Sequence, residues 1–571
     1  MGSYKYCICF TRKFVWRAAA PPPDVRQTFV EYSEGAAQMG PDQLRRFLAE
    51  AQGQAEATLA DAERIIEVLR RRRCHHLPAM LSRPGITLDD FFHFLFSDDL
   101  NPPIRSQVHQ DMSLPLSHYY IYTGHNSYLT GNQLSSDSSY IPIIKALQRG
   151  VRVIELDMWP NSTKDDVLIL HGRTLTSPVE MIKCLRSIKE FAFCASPYPV
   201  VITLEDHLTP DLQAKVAEMV TQTFGDMLYY PKSDSLEEFP SPESLKNRII
   251  ISTKPPKKYF ESKTVKDKQD DPQKGGKGSN DEAWETKSAD LQTLHVSHDK
   301  NSSPEYRHII TVHAGKPKGR TRDALKVDTD KVRRLSLSEQ QLERAAEFYA
   351  LDLVRFTQKN IVRVYPKGTR FNSSNYCPLL GWLHGAQMVA LNMQGYGRSL
   401  WLMQGLFRAN GGCGYVRKPD FLMNIGPRAA VFEPEARLPV KITLKVKIYM
   451  GDGWHKDFSR THFDVYSPPD FYTRVGIAGV PADIKMKRTR IKQDDWMPVW
   501  GEEFSFPLTV PELALLRIEA HEYNMSDMDD FGGQTCLPVW ELKPGIRAVP
   551  LHDHKGNKYK SVRLLMRFQF V

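Results

Sequence analysis

The chain has 571 residues and a net charge of +9, which predicts about three or four domains and an anionic partner, either nucleic acid or an acidic membrane. No nucleic-acid-binding motif is present, and no apolar run approaches the roughly 20 residues that span a bilayer, so we expect a cytoplasmic protein that visits a membrane surface. The eight cysteines lack CxxC spacing, which indicates reduced thiols.

The first 22 residues combine Cys7 and Cys9 with basic and aromatic side chains. We expect 1–22 to be a disordered tail, and acylation of the two cysteines is the alternative. Neither interpretation assigns a folded element to this segment.

Residues 23–105 predict helices, because Leu59, Ile65 and Leu69 fall on one helical face. The layout resembles the helix pairs of EF-hands. The loop at 32–37 lacks the alternating carboxylates of a calcium loop, so we expect an EF-hand-like region that is structural.

Four apolar runs, each rich in β-branched or aromatic residues, follow between residues 119 and 204. They predict buried parallel strands, and each of them ends near a side chain suited to acid/base or metal chemistry. Since β/α folds build their sites where such strands end, we expect these side chains to share one rim. They are His125, Asn126, Glu155, Asp157, His171 and Glu205.

The oxygen donors of this set are Asn126, Glu155, Asp157 and Glu205, the ligand type that Ca²⁺ prefers. No thiolate accompanies them, which argues against zinc. His125 and His171 remain free for proton transfer and charge stabilisation at a phosphate. Any one of these residues alone is more often an ordinary structural residue, but six at the ends of four runs predict a catalytic metal site.

A fifth strand is predicted at 248–253, ending at Lys254. Residues 257–334 are charged and nearly free of apolar periodicity, so we expect a disordered linker. Strand-like runs return at 360–364 and 387–392. Five strands before the linker and about three after it would form an eight-stranded barrel split by an insertion.

Two alternating apolar runs, at 440–448 and 562–570, mark the C-terminal part as all-β. It resembles a C2 β-sandwich. Four loop carboxylates there could hold calcium, and a plain solvated turn is the alternative. These carboxylates are Asp470, Asp527, Asp529 and Asp530.

Eight segments resemble the X and Y regions of eukaryotic phosphoinositide-specific phospholipase C, and those of the X region match in order and spacing as well. They are Gly124–Leu129, Glu155–Trp159, Leu170–Ser177 and Thr203–His207 for the X region, and Asn360–Pro366, Ser373–Tyr376, Val389–Asn392 and Asn410–Val416 for the Y region. The short layout is similar to the plant type of the family, so we expect no PH domain.

The resemblance implies a multidomain fold with an EF-hand-like helical region at 23–105 and a split TIM-type (β/α)8 barrel. The barrel would have an X half at 106–256 and a Y half at 335–434, followed by a C2 β-sandwich at 435–571. It also implies calcium-dependent hydrolysis of phosphatidylinositol 4,5-bisphosphate, and of the 4-phosphate, to diacylglycerol and inositol phosphate through a 1,2-cyclic phosphate. We expect a monomer peripheral to the plasma membrane, with no nucleic-acid partner.

The same resemblance assigns roles to the residues of the rim. Ca²⁺ would be bound by Asn126, Glu155, Asp157 and Glu205. His125 would stabilise charge on the phosphate, His171 would protonate the leaving oxygen, and either glutamate would be the base. The substrate would be held through its ring phosphates and its ring by Lys254, Ser336, Arg363 and Tyr365.

Two other functions fit parts of the pattern. A non-catalytic relative would bind phosphoinositides through the barrel, but it would not need both His125 and His171. A glycerophosphodiesterase can share a barrel with histidines and carboxylates, but it would need neither the split halves nor the sandwich.

Overall fold

The structure is a computed structural model that describes residues 2–7, 10–14, 20–73, 85–231, 236–253, 303–315, 321–328, 330–423, 431–464, 466–525 and 528–571. Within these ranges, no helix combines the length and the apolar character that crossing a bilayer requires. The expected multidomain architecture is confirmed: a helical region, a split barrel and a C-terminal sandwich follow one another along the chain.

A β-hairpin forms within the segment that was predicted to be a disordered tail. Strand β1 (Gly2–Cys7) pairs antiparallel with β2 (Phe10–Phe14). The prediction was wrong here because the segment is rich in aromatic residues, which favour the extended conformation.

In the described stretches 20–73 and 85–105, four helices follow, namely α1 (Pro23–Tyr32), α2 (Pro41–Glu50), α3 (Leu59–Arg73) and α4 (Leu88–Leu95). Their core is aromatic: the Phe91 ring lies 5.6 Å from Phe29 and 4.9 Å from Phe47 between centroids. Helix α4 begins at a Thr87 capping box, in which Thr87 Oγ1 accepts from the Asp90 N–H.

Eight parallel segments close the barrel. The first, at 122–125, bridges Val153 on one side and Leu391 on the other, through Thr123 and Gly124. The remaining seven are hydrogen-bonded in sequence order. They are β4 (Val153–Pro160), β7 (Val200–Asp206), β8 (Ile249–Thr253), β9 (Ile310–Gly315), β10 (Arg334–Ser338), β11 (Ile361–Tyr365) and β12 (Met388–Val389).

The barrel therefore divides four and four, whereas five strands and about three were predicted. The run at 167–170 forms β5 (Val167–Ile169), which pairs antiparallel with β4 and with β6 (Val179–Glu180), outside the parallel set. Only six residues, 161–166, separate β4 from β5, which is too short for a parallel crossover.

The other correction concerns the predicted linker 257–334. Strand β9 lies inside that interval, where it pairs parallel with β8 and β10, and it supplies the fifth strand of the barrel. The apolar run of β9 is short and lies between charged segments, so the sequence pattern did not indicate a strand there. Residues 254–302 lie outside the described ranges.

Helices cover the outside of the barrel, and two further strands close its N-terminal end. Strand β3 (Tyr119–Ile121) pairs antiparallel with β13 (Tyr415–Arg417). The helices are α5 (Ile141–Gln148), α6 (Met181–Phe191), α7 (Pro210–Phe224), α8 (Pro304–His308), α9 (Thr321–Ala324), α10 (Glu339–Lys359), α11 (Leu379–Leu383) and α12 (Arg398–Leu406).

The C-terminal part is an eight-stranded antiparallel sandwich, with one short helix, α13 (Trp454–Asp457). The two alternating runs lie in β14 and β21, neighbouring strands in one sheet, which confirms the all-β prediction. The strands are β14 (Ile442–Asp452), β15 (Phe471–Ala478), β16 (Lys485–Arg488), β17 (Val499–Leu508), β18 (Leu515–Glu522), β19 (Asp530–Pro538), β20 (Gly545–His552) and β21 (Lys558–Phe570).

The sandwich contacts both other regions. Toward the helices, the fully buried Arg547 donates to Asn101 Oδ1 at 2.8 Å and to the Gln52 carbonyl. Toward the barrel, Gly405 of α12 lies so close to Cys536 that an added Cβ would clash with it. The sandwich is thus packed directly against the barrel that carries the candidate site.

Candidate active site

The alternation of β4 and β7 places the three predicted carboxylates together. Ile154, Leu156 and Met158 point outward into the apolar layer under the helices, so Glu155 and Asp157 point into the barrel. Strand β7 pairs with β4 so that Glu205 lies opposite Asp157. Carboxylate oxygens of Glu155, Asp157 and Glu205 consequently lie within 4.8 Å of one another.

This cluster has the properties of a cation site. Burial raises the pKa of Asp157 well above its usual range, and the charges of Glu205 and Glu155 raise it further. Asp157 Oδ2 accepts from the Tyr128 hydroxyl at 2.8 Å, while buried Oδ1 has no hydrogen-bond partner among the described residues. Because like charges and an unpaired buried oxygen are both costly, the donor set fits a divalent cation with oxygen ligands.

Asn126 lies beside the cluster, as predicted. Its main-chain N–H donates to Glu155 Oε2 at 3.0 Å, and its Nδ2 donates to Gln133 Oε1 at 2.9 Å. Its φ of 39° is in the left-handed region, which asparagine tolerates better than most residues. Asn126 is almost fully buried, so the amide is held in one place.

The two histidines are each held through Nδ1. His125 Nδ1 lies 2.9 Å from Asn392 Oδ1, and His171 Nδ1 lies 2.7 Å from the Gln133 carbonyl oxygen. Both partners are acceptors, so Nδ1 carries the hydrogen and Nε2 is left for chemistry in each ring. Burial lowers the pKa of His125, and the Glu155 carboxylate opposes this effect.

Arg363, which was predicted to hold a ring phosphate of the substrate, forms an ion pair with a carboxylate of the cluster. Its guanidinium contacts Glu155 Oε2 at 2.6 Å, and both side chains are almost fully buried. It also lies over the Tyr365 ring, 5.8 Å from the centroid, and beside Ser336 in the paired strands β10 and β11. The three predicted substrate-binding residues are therefore contiguous, whereas Lys254 lies outside the described residues.

A second layer supports Glu205. His207 Nε2 lies 3.2 Å from Glu205 Oε1, and the His207 ring stacks on Trp159 with centroids 4.0 Å apart. A Cβ on Gly172 would lie 2.0 Å from the Trp159 ring, so only glycine permits this packing.

Among the residues that contact the site directly but were not predicted to belong to it are Tyr128, Gln133 and Asn392. Asn392 follows the last barrel strand, so the rule that sites form at strand ends could have identified it. Gln133 lies in a loop with no strand, motif or spacing that distinguishes it from its neighbours.

Apolar side chains flank the rim. Leu175 is 87% exposed and Leu134 44%, and the Leu175 N–H donates to the Leu134 carbonyl. Phe371, half exposed, is joined to the same loop because its carbonyl accepts from the Gln133 N–H. The rim thus combines a polar site with an apolar border.

The sandwich loops also collect acidic groups. Asp470 accepts from the Asp494 N–H, and Asp529 accepts from the Tyr472 hydroxyl. Burial raises the pKa of Glu522 to about 7, with the charges of Asp530, Asp464 and Asp470 adding to the effect. Asp527 lies outside the described residues, and among those described only the barrel trio forms a tight acidic group.

Comparisons with known proteins identify the family. Residues 112–255 match the model of the X domain of phosphatidylinositol-specific phospholipase C, residues 311–421 match its Y domain, and residues 442–553 match the C2 domain. The Y match begins within β9, in agreement with the corrected strand count.

Full-length relatives give the same result. Phosphoinositide phospholipase C 6 of Arabidopsis thaliana is 60% identical over 100% of this chain and 98% of its own length. A mouse 1-phosphatidylinositol 4,5-bisphosphate phosphodiesterase, delta-3, is 34% identical over 94% of this chain and 66% of its own. The crystal structure of S. officinalis PLC21 superimposes with a TM-score of 0.74 at 25% identity, covering 96% of this chain and 68% of that one. The chain belongs to the phosphoinositide-specific phospholipase C family of enzymes.

Proposed function

We propose that this phospholipase C requires calcium and hydrolyses phosphatidylinositol 4,5-bisphosphate, with the 4-phosphate as a second substrate, through a 1,2-cyclic phosphate. The observation that carries the proposal is the trio Glu155, Asp157 and Glu205 within 4.8 Å, beside two histidines that each present Nε2. The mouse relative is a 1-phosphatidylinositol 4,5-bisphosphate phosphodiesterase, which supports the bisphosphate as substrate.

In this proposal Asn126, Glu155, Asp157 and Glu205 bind the calcium ion. When bound, the ion would lower the pKa of the inositol 2-hydroxyl and offset charge on the phosphate. Glu155 Oε2 already contacts the Arg363 guanidinium at 2.6 Å and accepts from the Asn126 N–H, so this carboxylate is engaged on the protein side. Glu205 is therefore the better candidate for accepting the proton of the 2-hydroxyl.

The reaction would proceed in two proton-coupled steps. In the first, the 2-oxygen attacks phosphorus, the bond to the diacylglycerol oxygen breaks, and His171 Nε2 gives that oxygen a proton. In the second, water attacks phosphorus and gives a proton to His171, the bond to the 2-oxygen breaks, and that oxygen takes back the proton held by the glutamate. His125 Nε2, carrying a proton, would hold the phosphate oxygen through both steps.

Substrate and location follow from neighbouring groups. Ser336, Arg363 and Lys254 would hold the ring phosphates, and Tyr365 would lie against the inositol ring. Leu134 and Leu175 would enter the lipid, and the sandwich loops with Asp470, Asp527, Asp529 and Asp530 would bind calcium at the bilayer. We infer a monomer at the cytoplasmic face of the plasma membrane, active in lipid signalling.

Hydrolysis of labelled vesicles against buffered free calcium tests this function. We expect inositol trisphosphate and its cyclic form from the bisphosphate lipid, and release that stops on chelation because the acidic trio then lacks its counterion. Vesicles of the 4-phosphate lipid and soluble glycerophosphoinositol are run in parallel. Equal release in chelator, or a preference for the soluble ester, would contradict the proposal.

A basic edge of the sandwich supports an anionic membrane as partner. Strand β16 is an edge strand, and with β15 it lines a cavity of about 340 Å³ with Arg474, Lys487 and Arg488 around Tyr472. Lys485, Arg488 and Arg490 are exposed along it. Charged side chains on an edge strand also prevent pairing with another chain.

Replacing Lys485, Arg488 and Arg490 with glutamine should weaken binding to phosphatidylserine vesicles on the order of a hundredfold at low salt, at about 1 kcal/mol per charge. Vesicle sedimentation measures this. The matched control replaces Lys183, Arg186 and Lys189, which are exposed on α6 of the barrel. A similar loss in both triple variants would show that net charge, and not this edge, attracts the membrane.

A further inference from the structure

Gln133 joins the two halves of the barrel beneath the rim. The residue is buried, and it belongs to the X half, in the loop that follows Asn126. Its Nε2 donates to two groups of the Y half, Ser373 Oγ at 2.8 Å and Asn392 Oδ1 at 3.1 Å. Its Oε1 accepts from Asn126 Nδ2 at 2.9 Å. The Gln133 amide therefore forms hydrogen bonds with the Y half through Nε2 and with the X half through Oε1.

The orientation of the Gln133 amide is fixed from the Y side. The Ser373 hydroxyl donates its one hydrogen to the Gly131 carbonyl at 2.8 Å, so Ser373 Oγ can only accept from Gln133. Asn392 Nδ2 is directed at the Ser374 carbonyl at 3.4 Å, which turns Asn392 Oδ1 toward Gln133. The Gly131 and Ser374 carbonyls can only accept, which leaves Ser373 Oγ and Asn392 Oδ1 as acceptors toward Gln133. Both acceptors require the NH₂ group of Gln133.

This orientation passes on to Asn126. Because Gln133 presents Oε1 to Asn126, the Asn126 amide must present Nδ2 to Gln133. Asn126 Oδ1 is then the end without a hydrogen bond among the described residues, and the main-chain N–H of the same residue contacts the Glu155 carboxylate. An asparagine turned the other way would present an NH₂ group, which cannot bind a cation.

Both histidines depend on the same group of residues. The Gln133 carbonyl holds His171 Nδ1, and Asn392 Oδ1 accepts from both Gln133 Nε2 and His125 Nδ1. One loop residue thus contacts a candidate metal ligand and one candidate catalytic ring directly, and reaches the second ring through Asn392.

We propose that Gln133 is a positioning residue whose amide carries the orientation set by Ser373 across the barrel to Asn126, so that Asn126 offers Oδ1 to the cation. The inference rests on the proposed calcium dependence. It also gives a reason why the two halves must assemble before the site can bind metal: the Y half holds the group that orients a ligand of the X half.

The test replaces Gln133 with methionine, which keeps the volume and removes both hydrogen-bonding groups. We expect about 10- to 100-fold weaker calcium binding at the barrel, the range for residues that orient metal ligands, and recovery of kcat at saturating calcium with KM unchanged. Equilibrium dialysis measures the binding directly, with the barrel share defined as the binding that Asp157→Asn removes.

Gln394→Met is the matched control, because Gln394 Nε2 also donates to Ser373 Oγ and the Gly131 carbonyl but contacts no predicted site residue. Its calcium affinity should stay within about twofold of wild type, given that it lies outside the orienting chain. If Gln133→Met fails to fold, Ser373→Gly is tested in its place. Ser373 has a φ of 58°, which glycine adopts without strain. Ser373→Gly should also weaken calcium binding.

The outcomes separate the two proposals. Unchanged calcium affinity in the folded Gln133 or Ser373 variant, or lost activity that excess calcium does not restore, would overturn the positioning role. If wild type and Asp157→Asn bind the same amount of calcium, the calcium dependence itself is overturned, and the positioning role with it.

Discussion

Replacing Asp157 with asparagine should lower the maximal rate of lipid hydrolysis on the order of a thousandfold, since a catalytic metal supplies several kcal/mol of charge stabilisation. The side chain keeps its shape, and its remaining oxygen can still accept from the Tyr128 hydroxyl. The substitution removes one negative charge from the trio, at the place where the cation would bind. Initial rates on bisphosphate vesicles across a calcium series measure the loss.

The same substitution should stabilise the protein when calcium is absent. Wild-type Asp157 is buried between two like charges, and its raised pKa means that the folded state disfavours the ionised carboxylate at neutral pH. Asparagine removes that repulsion. Calcium at 100 times the Kd should stabilise the folded wild type by about 2.7 kcal/mol and so raise its melting temperature. The melting temperature of the variant should rise much less.

Asp165→Asn is the control for this pair of measurements. Asp165 lies in the exposed 161–166 turn of the same barrel half, where it accepts from Asn161 and Thr163. We expect its activity and its calcium-dependent stabilisation to match wild type. A stabilised Asp157→Asn variant that still hydrolyses lipid at the wild-type rate would separate the acidic trio from catalysis.

The sequence was sufficient to predict the centre of this site for a simple reason. Glu155 and Asp157 are two residues apart in one strand, so alternation places them on one face whatever the rest of the fold does. Glu205 lies one residue before the end of the neighbouring parallel strand, and parallel register brings it beside Asp157. Local periodicity and strand order therefore carry most of the information for the trio.

Contacts across the barrel were beyond the same reasoning. Arg363 was predicted to hold a substrate phosphate, and the structure adds its ion pair with Glu155, which depends on which inward side chains meet across the interior. Gln133 depends on a loop meeting the Y half, a juxtaposition that no periodicity encodes. The misassigned β5, by contrast, could have been recognised from its short connection to β4.

Alanine variants of the two histidines should differ in how their hydrolysis rates depend on the leaving group of the substrate. His171→Ala should reduce hydrolysis of the natural lipid by about 10²- to 10⁴-fold, the usual contribution of a general acid. An inositol phosphodiester with an aryl leaving group needs no proton on departure, so His171→Ala should hydrolyse it at a rate close to wild type. His125→Ala should be impaired on both substrates, because charge on the phosphate develops in either case.

The two rings are held alike at Nδ1, so the expected difference comes from the role proposed for each Nε2. Asn392 Oδ1 accepts from one ring and the Gln133 carbonyl from the other, so each histidine presents Nε2 to the site. His93→Ala, on the exposed face of α4, controls for loss of an imidazole. Equal impairment of His171→Ala on the alkyl and aryl substrates would show that His171 acts by binding the phosphate and not by donating a proton, and the acid would then have to be sought among the other groups of the rim.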